Sequence, residues 1–290
     1  MNHSEIETEL TSDELISEHL SVKFEKLKEY FEAFQEEGIC IAYSGGVDST
    51  LLLKTAADVS GRPVLAVILE TQLHPHSDTE AACRLAAAYG AGYEVIRVDE
   101  FQNPDILQNP VNRCYLCKHM LFSRLKELAF SRGFRAVFDG TNKDDEKEYR
   151  PGMKVLRELN IKSPLLELGI TKREVRLLSE RLQLPTAHVP STPCLATRLP
   201  YGAYLDRALL QKLHKGEELL RDMGFYNVRL RFHDPVLRIE LDTDAFPDLL
   251  EHRETIVDSL KALGFSYLTL DLEGFRSGSM DINTASQNQA

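Results

Sequence analysis

The sequence predicts an α/β protein: a parallel sheet covered by helices, followed by a smaller C-terminal α+β domain. Three observations carry that prediction. Up to residue 140, unbroken apolar runs alternate with helix-period stretches, the pattern of strands buried on both faces. A paired-glycine turn, Ser44-Gly45-Gly46, stands between the first apolar run and the helix pattern that follows it. Beyond residue 200 the order changes to helix, strand, strand, helix, strand.

In chain order, residues 1–20 read as a flexible or loosely helical leader from their acidic, polar composition. "SVKFEKLKEYFEAF" (21–34) spaces its apolar residues along one face of a helix. The strand candidates of the first domain, 21–200, are 38–43, 63–70, 93–99 and 135–140, with helices expected near 48–59, 77–90 and 115–132. In such sheets ligands bind beyond the carboxyl ends of the strands. The second domain, 201–280, reads as a helix over 206–223, strands over 227–233 and 236–241 joined by an Asp234-Pro235 turn, a long helix across 245–264 and a strand over 266–274. Residues 281–290 are expected to fray as a tail.

Composition narrows the function classes. The chain has 290 residues, 43% apolar and 27% charged, which suits a globular protein of two domains. Its longest apolar runs, such as "PVLAVIL", fall well short of a bilayer span, and its first residues lack the basic-then-apolar layout of a signal peptide. A cytoplasmic protein without membrane segments is expected. The net charge of −11 argues against a dedicated nucleic-acid binder. Five cysteines in a chain of this kind point to metal or catalytic roles rather than structural disulfides.

The string Ser44-Gly45-Gly46-Val47-Asp48-Ser49 lets the backbone turn sharply and approach a ligand, and the helix after it offers free N–H groups to an anion. Ser44, Ser49 and Thr50 add hydroxyl donors. Asp48 would repel a phosphate directly, so a bridging Mg²⁺ is the natural partner of both. The Walker pattern, with its lysine after the second glycine, is absent. "FDGTNKDD" (138–145) places Gly140, Thr141, Asn142 and Asp144 or Asp145 on the same sheet edge; a polar helix cap is the plainer reading of that segment.

Cys114 and Cys117 form a Cys-x-x-Cys pair, and Cys194 sits in a proline-rich loop before Arg198 and Pro200-Tyr201-Gly202. Redox, zinc and iron–sulfur roles are all open to such a pair, with His119 or His188 available to zinc. An arginine near Cys194 would favour its thiolate. Cys40, in a strand, and Cys83, in an alanine-rich helix, read as core thiols. Tyr115 and Tyr201 carry no decisive signal.

The glycine loop resembles that of the N-type ATP pyrophosphatases, the PP-loop superfamily with an adenine nucleotide alpha hydrolase-like fold, whose members split ATP between the α and β phosphates. "YSGGVDSTLL", "NRCYLCKHMLF", "DGTNKDD", "EYRPGMKVLRELNIKSPLLELGITKREVR", "CLATRLPYG", "VRLRFHDPVLRIEL" and "GFRSGSM" together resemble the LarE family of ATP-dependent sulfur transferases. The resemblance implies adenylylation of the carboxylates of pyridinium-3,5-biscarboxylic acid mononucleotide, then replacement of oxygen by sulfur for the nickel-pincer cofactor of lactate racemase. It implies ATP and Mg²⁺, the latter at Asp48. It also implies one of two sulfur sources: a [4Fe–4S] cluster on Cys114, Cys117 and Cys194, which the three cysteines favour, or sacrifice of Cys194 itself. Arg198, Arg229, Arg231, Glu217 and Glu146 become substrate-binding candidates, and a homo-oligomer, a hexamer in that family, is implied. Guanidinium forks suit a phosphate and two carboxylates, while a solvated strand face is the ordinary reading of Arg229 and Arg231. The alternatives are a tRNA thiolation enzyme of the same superfamily and a non-catalytic ATP-binding protein.

Overall fold

The computed structural model describes residues 12–74, 77–147, 152–189 and 193–276. Most of the expected leader, the whole tail and parts of the "EYRPG" and "GFRSGSM" segments lie outside the described residues. In chain order the elements are α1 (Ser12–Glu32), β1 (Ile39–Ala42), α2 (Val47–Val59), β2 (Leu65–Thr71), α3 (Ser77–Ala88), β3 (Gly92–Val98), α4 (Pro104–Leu107), α5 (Arg113–Ser131) and β4 (Ala136–Phe138). Then come α6 (Gly152–Glu158), α7 (Pro164–Glu167), α8 (Lys172–Arg181), α9 (Arg207–Asp222), β5 (Arg229–His233), β6 (Val236–Glu240), α10 (Phe246–Glu251), α11 (Arg253–Ala262) and β7 (Tyr267–Leu270). The chain forms two compact units: one from 1–70, 75–98 and 118–191, the other from 71–74, 99–117 and 192–290. No helix among the described residues is long and apolar enough to cross a membrane.

The first unit is built on a four-stranded sheet of order β3-β2-β1-β4. Strand β1 pairs parallel with β2 on one side and β4 on the other, Cys40 standing opposite both Leu65 and Val137. That central position explains the unbroken apolar run: Ile39, Cys40 and Ile41 are all buried. Helix α2 sinks Leu51, Leu52 and Leu53 into the core, and α1 adds Leu27 and Phe31, whose ring meets Phe138 edge-on at 5.2 Å. The chain winds outward from β1 to β2 and β3, then returns to place β4 on the opposite flank. The carboxyl ends of β1 and β4 therefore flank the topological switch point, where open α/β sheets bind ligands. The strand expected over 135–140 is shorter, Ala136–Phe138, and on its outer edge Phe138 forms an isolated parallel bridge with Lys162, Asp139 N–H donating to the Lys162 carbonyl at 2.9 Å.

The second unit carries a three-stranded sheet of order β5-β6-β7, antiparallel between β5 and β6 and parallel between β6 and β7. The helix expected across 245–264 is two helices. They part at His252, where the Asp248 carbonyl accepts both the His252 backbone N–H at 3.1 Å and its ring Nδ1 at 2.8 Å. Asp234-Pro235, at the hairpin between β5 and β6, is a cis peptide.

Candidate active site

Gly45 turns the chain after β1 with φ 75°, a conformation that favours glycine, and a side chain there would stand 3.1 Å from the Ala82 methyl. Gly46 is the N-cap of α2 and provides no side-chain acceptor, so the first N–H groups of the helix have no side-chain cap. Ser44 and Ser49 lock the loop from within: their hydroxyls lie 3.1 Å apart, Ser44 Oγ accepts from Gly46 N–H at 3.3 Å, and Ser49 donates to the Gly46 carbonyl at 3.2 Å. Val47 points into the core.

The loop after β4 comes close to this helix start because residue 140 is glycine. A Cβ there would lie 3.1 Å from Ser49 N and 3.1 Å from Asp48 Cβ. Asn142 reaches across with its Nδ2 to Asp48 Oδ1 at 3.3 Å, and Lys172, the first residue of α8, ion-pairs with the other oxygen of Asp48. Asp139 fixes the loop by accepting from the Thr141 and Ser163 hydroxyls, both at 2.6 Å, and from Lys118 at 3.2 Å. These groups line a cavity of 470 Å³ together with Ser44, Ser49, Asp144 and Asp145. Of the expected loop residues, Ser44, Asp48, Ser49, Gly140, Thr141 and Asn142 thus meet at one cavity with carboxylates within reach, while Gly45, Gly46 and Val47 do not line it. Its size and its mixture of donors and carboxylates suit a nucleotide phosphate chain with a divalent cation. Lys118, Asp139 and Lys172 were not among the sequence candidates; a lysine at the start of a capped helix gave no hint of where its ammonium would point.

The cysteine-bearing segments meet in the second unit, far apart though they are in sequence. Asn109 stitches them: its Nδ2 donates to the Pro200 carbonyl at 2.8 Å, its own carbonyl accepts from Gly202 N–H at 2.9 Å, and its Oδ1 accepts from Arg113. Arg113 in turn donates to Cys114 Sγ at 3.5 Å. Cys194 is half-buried and Cys114 exposed. Burial pushes the Cys194 thiol up, the Arg113 guanidinium works against that rise, and Cys114 and Glu100 add to it. Cys117 is raised by burial first and then by Cys194, Glu100 and Cys114. The three sulfurs therefore share one electrostatic neighbourhood. Among the described residues no three His, Cys, Asp or Glu side chains are placed to hold a metal ion. His119 and His188 are exposed, and His188 faces Glu180 at 3.8 Å. Cys40 is a core thiol pushed up to about 12 by burial.

Arg198, expected beside Cys194 as its counter-charge, has a different partner. It is buried and forks onto Glu217, Nε to Oε1 at 2.7 Å and Nη2 to Oε2 at 2.8 Å. Arg198 also donates from Nη1 to the Cys194 carbonyl at 3.4 Å, while Arg113, absent from the sequence candidates, meets the sulfur of Cys114. Glu217 also accepts from Leu230 N–H at 3.0 Å and from Arg221 at 2.9 Å, so it holds the arginines and β5 together. Arg231 pairs with Glu240 at 3.1 Å and donates to the Thr197 carbonyl at 2.7 Å. Among the described residues Arg229 donates to the Val228 carbonyl, lies against the Phe275 ring at 5.3 Å and leaves its buried Nε without a partner. Burial and then Arg198 bring its pKa down to about 10. Arg198, Arg221, Arg229, Arg231 and Arg238 thus gather around two buried glutamates, a local cationic excess suited to anions. Glu146 lies in the first unit, exposed and paired with Lys143. Glu100, also overlooked, is buried in the second unit; it accepts from Gln72 N–H at 2.9 Å, and its Oε1 has no hydrogen-bond partner among the described residues.

Comparison with known proteins agrees with the loop geometry. The PP-loop domain family matches residues 18–164. The pyridinium-3,5-bisthiocarboxylic acid mononucleotide synthase of Lactiplantibacillus plantarum is 38% identical over 244 residues, covering 84% of this chain and 88% of that protein. An uncharacterised protein of Synechocystis is 38% identical over 264 residues, covering 90% of this chain and 98% of its own. An uncharacterised protein of Methanocaldococcus jannaschii is 31% identical over 246 residues, covering 85% and 94% respectively. With a paired-glycine turn at the switch point of a parallel sheet and relatives matched over nearly their whole length, the chain belongs to the LarE family of PP-loop proteins.

Proposed function

We propose that this protein is an AMP-forming, ATP-dependent sulfur transferase that converts the carboxylates of pyridinium-3,5-biscarboxylic acid mononucleotide to thiocarboxylates. The observation that carries this reading is the 38% identity, over 84% of the chain, to a synthase named for the bisthiocarboxylate product. The cavity at the start of α2 supports its first half. A substrate carboxylate oxygen attacks the α-phosphorus of ATP, the bond to the bridging oxygen breaks, and pyrophosphate leaves. The N–H groups at the start of α2 and the Ser44 and Ser49 hydroxyls bind phosphate oxygens. Asp48 is the side chain to hold Mg²⁺, which when bound neutralises phosphate charge. Lys172 then has phosphate oxygens in place of Asp48 to pair with.

The second unit supports the other half. Arg229, with its spare donors, is the arginine best able to take a substrate phosphate or carboxylate. Arg198 and Glu217 act by fixing the shape of the loop after Cys194. A sulfur nucleophile displaces AMP from the acyl adenylate, forming the C–S bond as the C–O bond to phosphate breaks. Cys114, Cys117 and Cys194 have the donor chemistry of an iron–sulfur cluster, although their thiols must converge further to bind one. A [4Fe–4S] cluster there would supply an open iron for an extra sulfide; without it, Cys194 would give up its own sulfur. Iron and acid-labile sulfide on protein purified without oxygen distinguish the two. The adenylylation half is tested by pyrophosphate release that depends on the pyridinium dicarboxylate. Release that ignores this substrate would overturn the reading. As the family resemblance implies, the protein is further proposed to be a homo-oligomer.

A further inference from the structure

Two lysines line the cavity at the start of α2, Lys118 from α5 and Lys172 from α8, and each meets an aspartate. The pairs differ in what the carboxylate keeps when its lysine leaves. Asp139 accepts the Thr141 and Ser163 hydroxyls, both at 2.6 Å, so Lys118 at 3.2 Å is one donor among several. Asp48 has the Asn142 amide at 3.3 Å on one oxygen and the Lys172 ammonium on the other, and no further side-chain donor meets it among the described residues. Asn142 is itself fixed: its N–H donates to Asp145 Oδ2 at 2.9 Å, and its Oδ1 accepts from Asp144 N–H at 3.0 Å. Asp48 is thus held in one orientation, opposite a single movable charge. The backbone of Lys172 is pinned, its N–H donating to Asp144 Oδ2 at 2.9 Å, while Thr171 and Glu174 close a capping box around the helix start. The ammonium, on its long flexible stem, is the part that can move. The pair is also partly open to water, with side chains 32% exposed for Lys172 and 20% for Asp48. A divalent cation and this ammonium compete for the same carboxylate, because like charges a few ångströms apart repel. The protein offers a bare cation little else. Among the described residues no three His, Cys, Asp or Glu side chains are placed to hold a metal ion, so oxygens of a phosphate chain or of water must complete its shell.

We propose that Lys172 is a resident counter-ion that guards Asp48: it keeps free divalent cations off the carboxylate until a triphosphate draws its ammonium away, so that cation and nucleotide are taken up together. Phosphate oxygens replace Asp48 as the partner of Lys172, and the cation replaces Lys172 as the partner of Asp48. Linkage makes the effect reciprocal, since the cation affinity that Lys172 suppresses returns when nucleotide binds. Lys118 needs no such exchange, because Asp139 keeps its hydroxyl donors when that lysine turns to phosphate. The role rests on the reading of this cavity as an ATP site and adds the order of uptake to it. Its cation arm is measurable without nucleotide or turnover.

The test is Mn²⁺ binding to the full chain without nucleotide, read from the electron paramagnetic resonance of the free ion. Wild type is compared with Lys172→Met, Lys172→Arg and the double variant Lys172→Met/Asp48→Asn. Lys172→Met removes the charge and keeps the length, and is expected to bind Mn²⁺ about tenfold more tightly than wild type. Lys172→Arg keeps the charge and is expected to stay within about threefold of wild type, while the double variant loses the gain. A lysine with a merely structural role would not tighten cation binding on removal. The second arm is calorimetry with α,β-methylene ATP. Wild type is expected to bind this analogue about tenfold more weakly in EDTA than with Mn²⁺, and Lys172→Met to bind the Mn²⁺ complex about tenfold more weakly than wild type. Mn²⁺ binding unchanged or weaker in Lys172→Met, or a gain that survives Asp48→Asn, would overturn the proposal. If Lys172→Met misfolds, the wild-type calorimetry decides, and equal affinity with Mn²⁺ and in EDTA would overturn it. An analogue bound by wild type under neither condition would count instead against the ATP-site reading, with the Mn²⁺ arm still deciding whether Lys172 guards Asp48.

Discussion

Asp48 and Glu217 are both carboxylates beside cations, and they do opposite work. Asp48 is partly open to the cavity, with Lys172 and Asn142 on its two oxygens, so its partners can be exchanged for a metal ion. Asp48→Asn keeps the shape and loses the charge; AMP formation from Mg-ATP is expected to fall by ~10²-fold or more. Pyrophosphate release at saturating Mg-ATP checks this, and an unchanged rate would refute the role. Glu217 is sealed, each oxygen accepting two donors. Its removal in Glu217→Ala strands Arg198, and a loss of ~3–5 kcal/mol in denaturant unfolding is expected. Burial alone would raise the Glu217 pKa, but Arg198 overcomes this and holds it below the usual value. Its contribution is therefore complete above the ordinary glutamate pKa of about 4.3 and is lost as pH falls through the lower folded value. Wild type should lose stability through that acid window more steeply than Glu217→Ala; equal pH slopes would contradict the assignment.

Among the elements, the unit β1–loop–α2 was the most legible, because strand burial, glycine turn and helix start each leave a separate mark on the sequence. Length was harder to read. Strand β4 is shorter than expected: the apolar run ends at Phe138, and Asp139-Gly140 is a turn pair that closes it. The division between α10 and α11 falls at His252 within a stretch whose apolar spacing runs on unbroken. Arg113, Asn109 and Glu100 were missed for the same reason: a polar residue in a loop shows its burial only when the fold has packed around it. Gly140 is where the loop after β4 closes on the start of α2 in the proposed ATP site. Gly140→Ala must push on Ser49 N and Asp48, both 3.1 Å from the added carbon, and so displace the start of α2. An approximately tenfold weaker ATP affinity, about 1.4 kcal/mol, is expected with little change in melting. Equilibrium binding with unaltered affinity would show that the loop has room to yield.

Taken whole, the molecule separates two chemistries. The phosphate cavity belongs to one unit; the sulfurs and the arginine cluster belong to the other. A net charge of −11 gave no sign of the cationic patch, because composition averages over surfaces that folding segregates. The division predicts that adenylylation and sulfur transfer are separable by mutation. The most direct test is mass spectrometry of the pyridinium mononucleotide after incubation without oxygen with Mg-ATP, a sulfide source and either wild type or Cys194→Ala. The account predicts a carboxylate oxygen replaced by sulfur, with AMP and pyrophosphate, for wild type, and pyrophosphate without any sulfur-containing product for Cys194→Ala. A thiocarboxylate product from Cys194→Ala at the wild-type rate, or none from wild type despite pyrophosphate release, would contradict it.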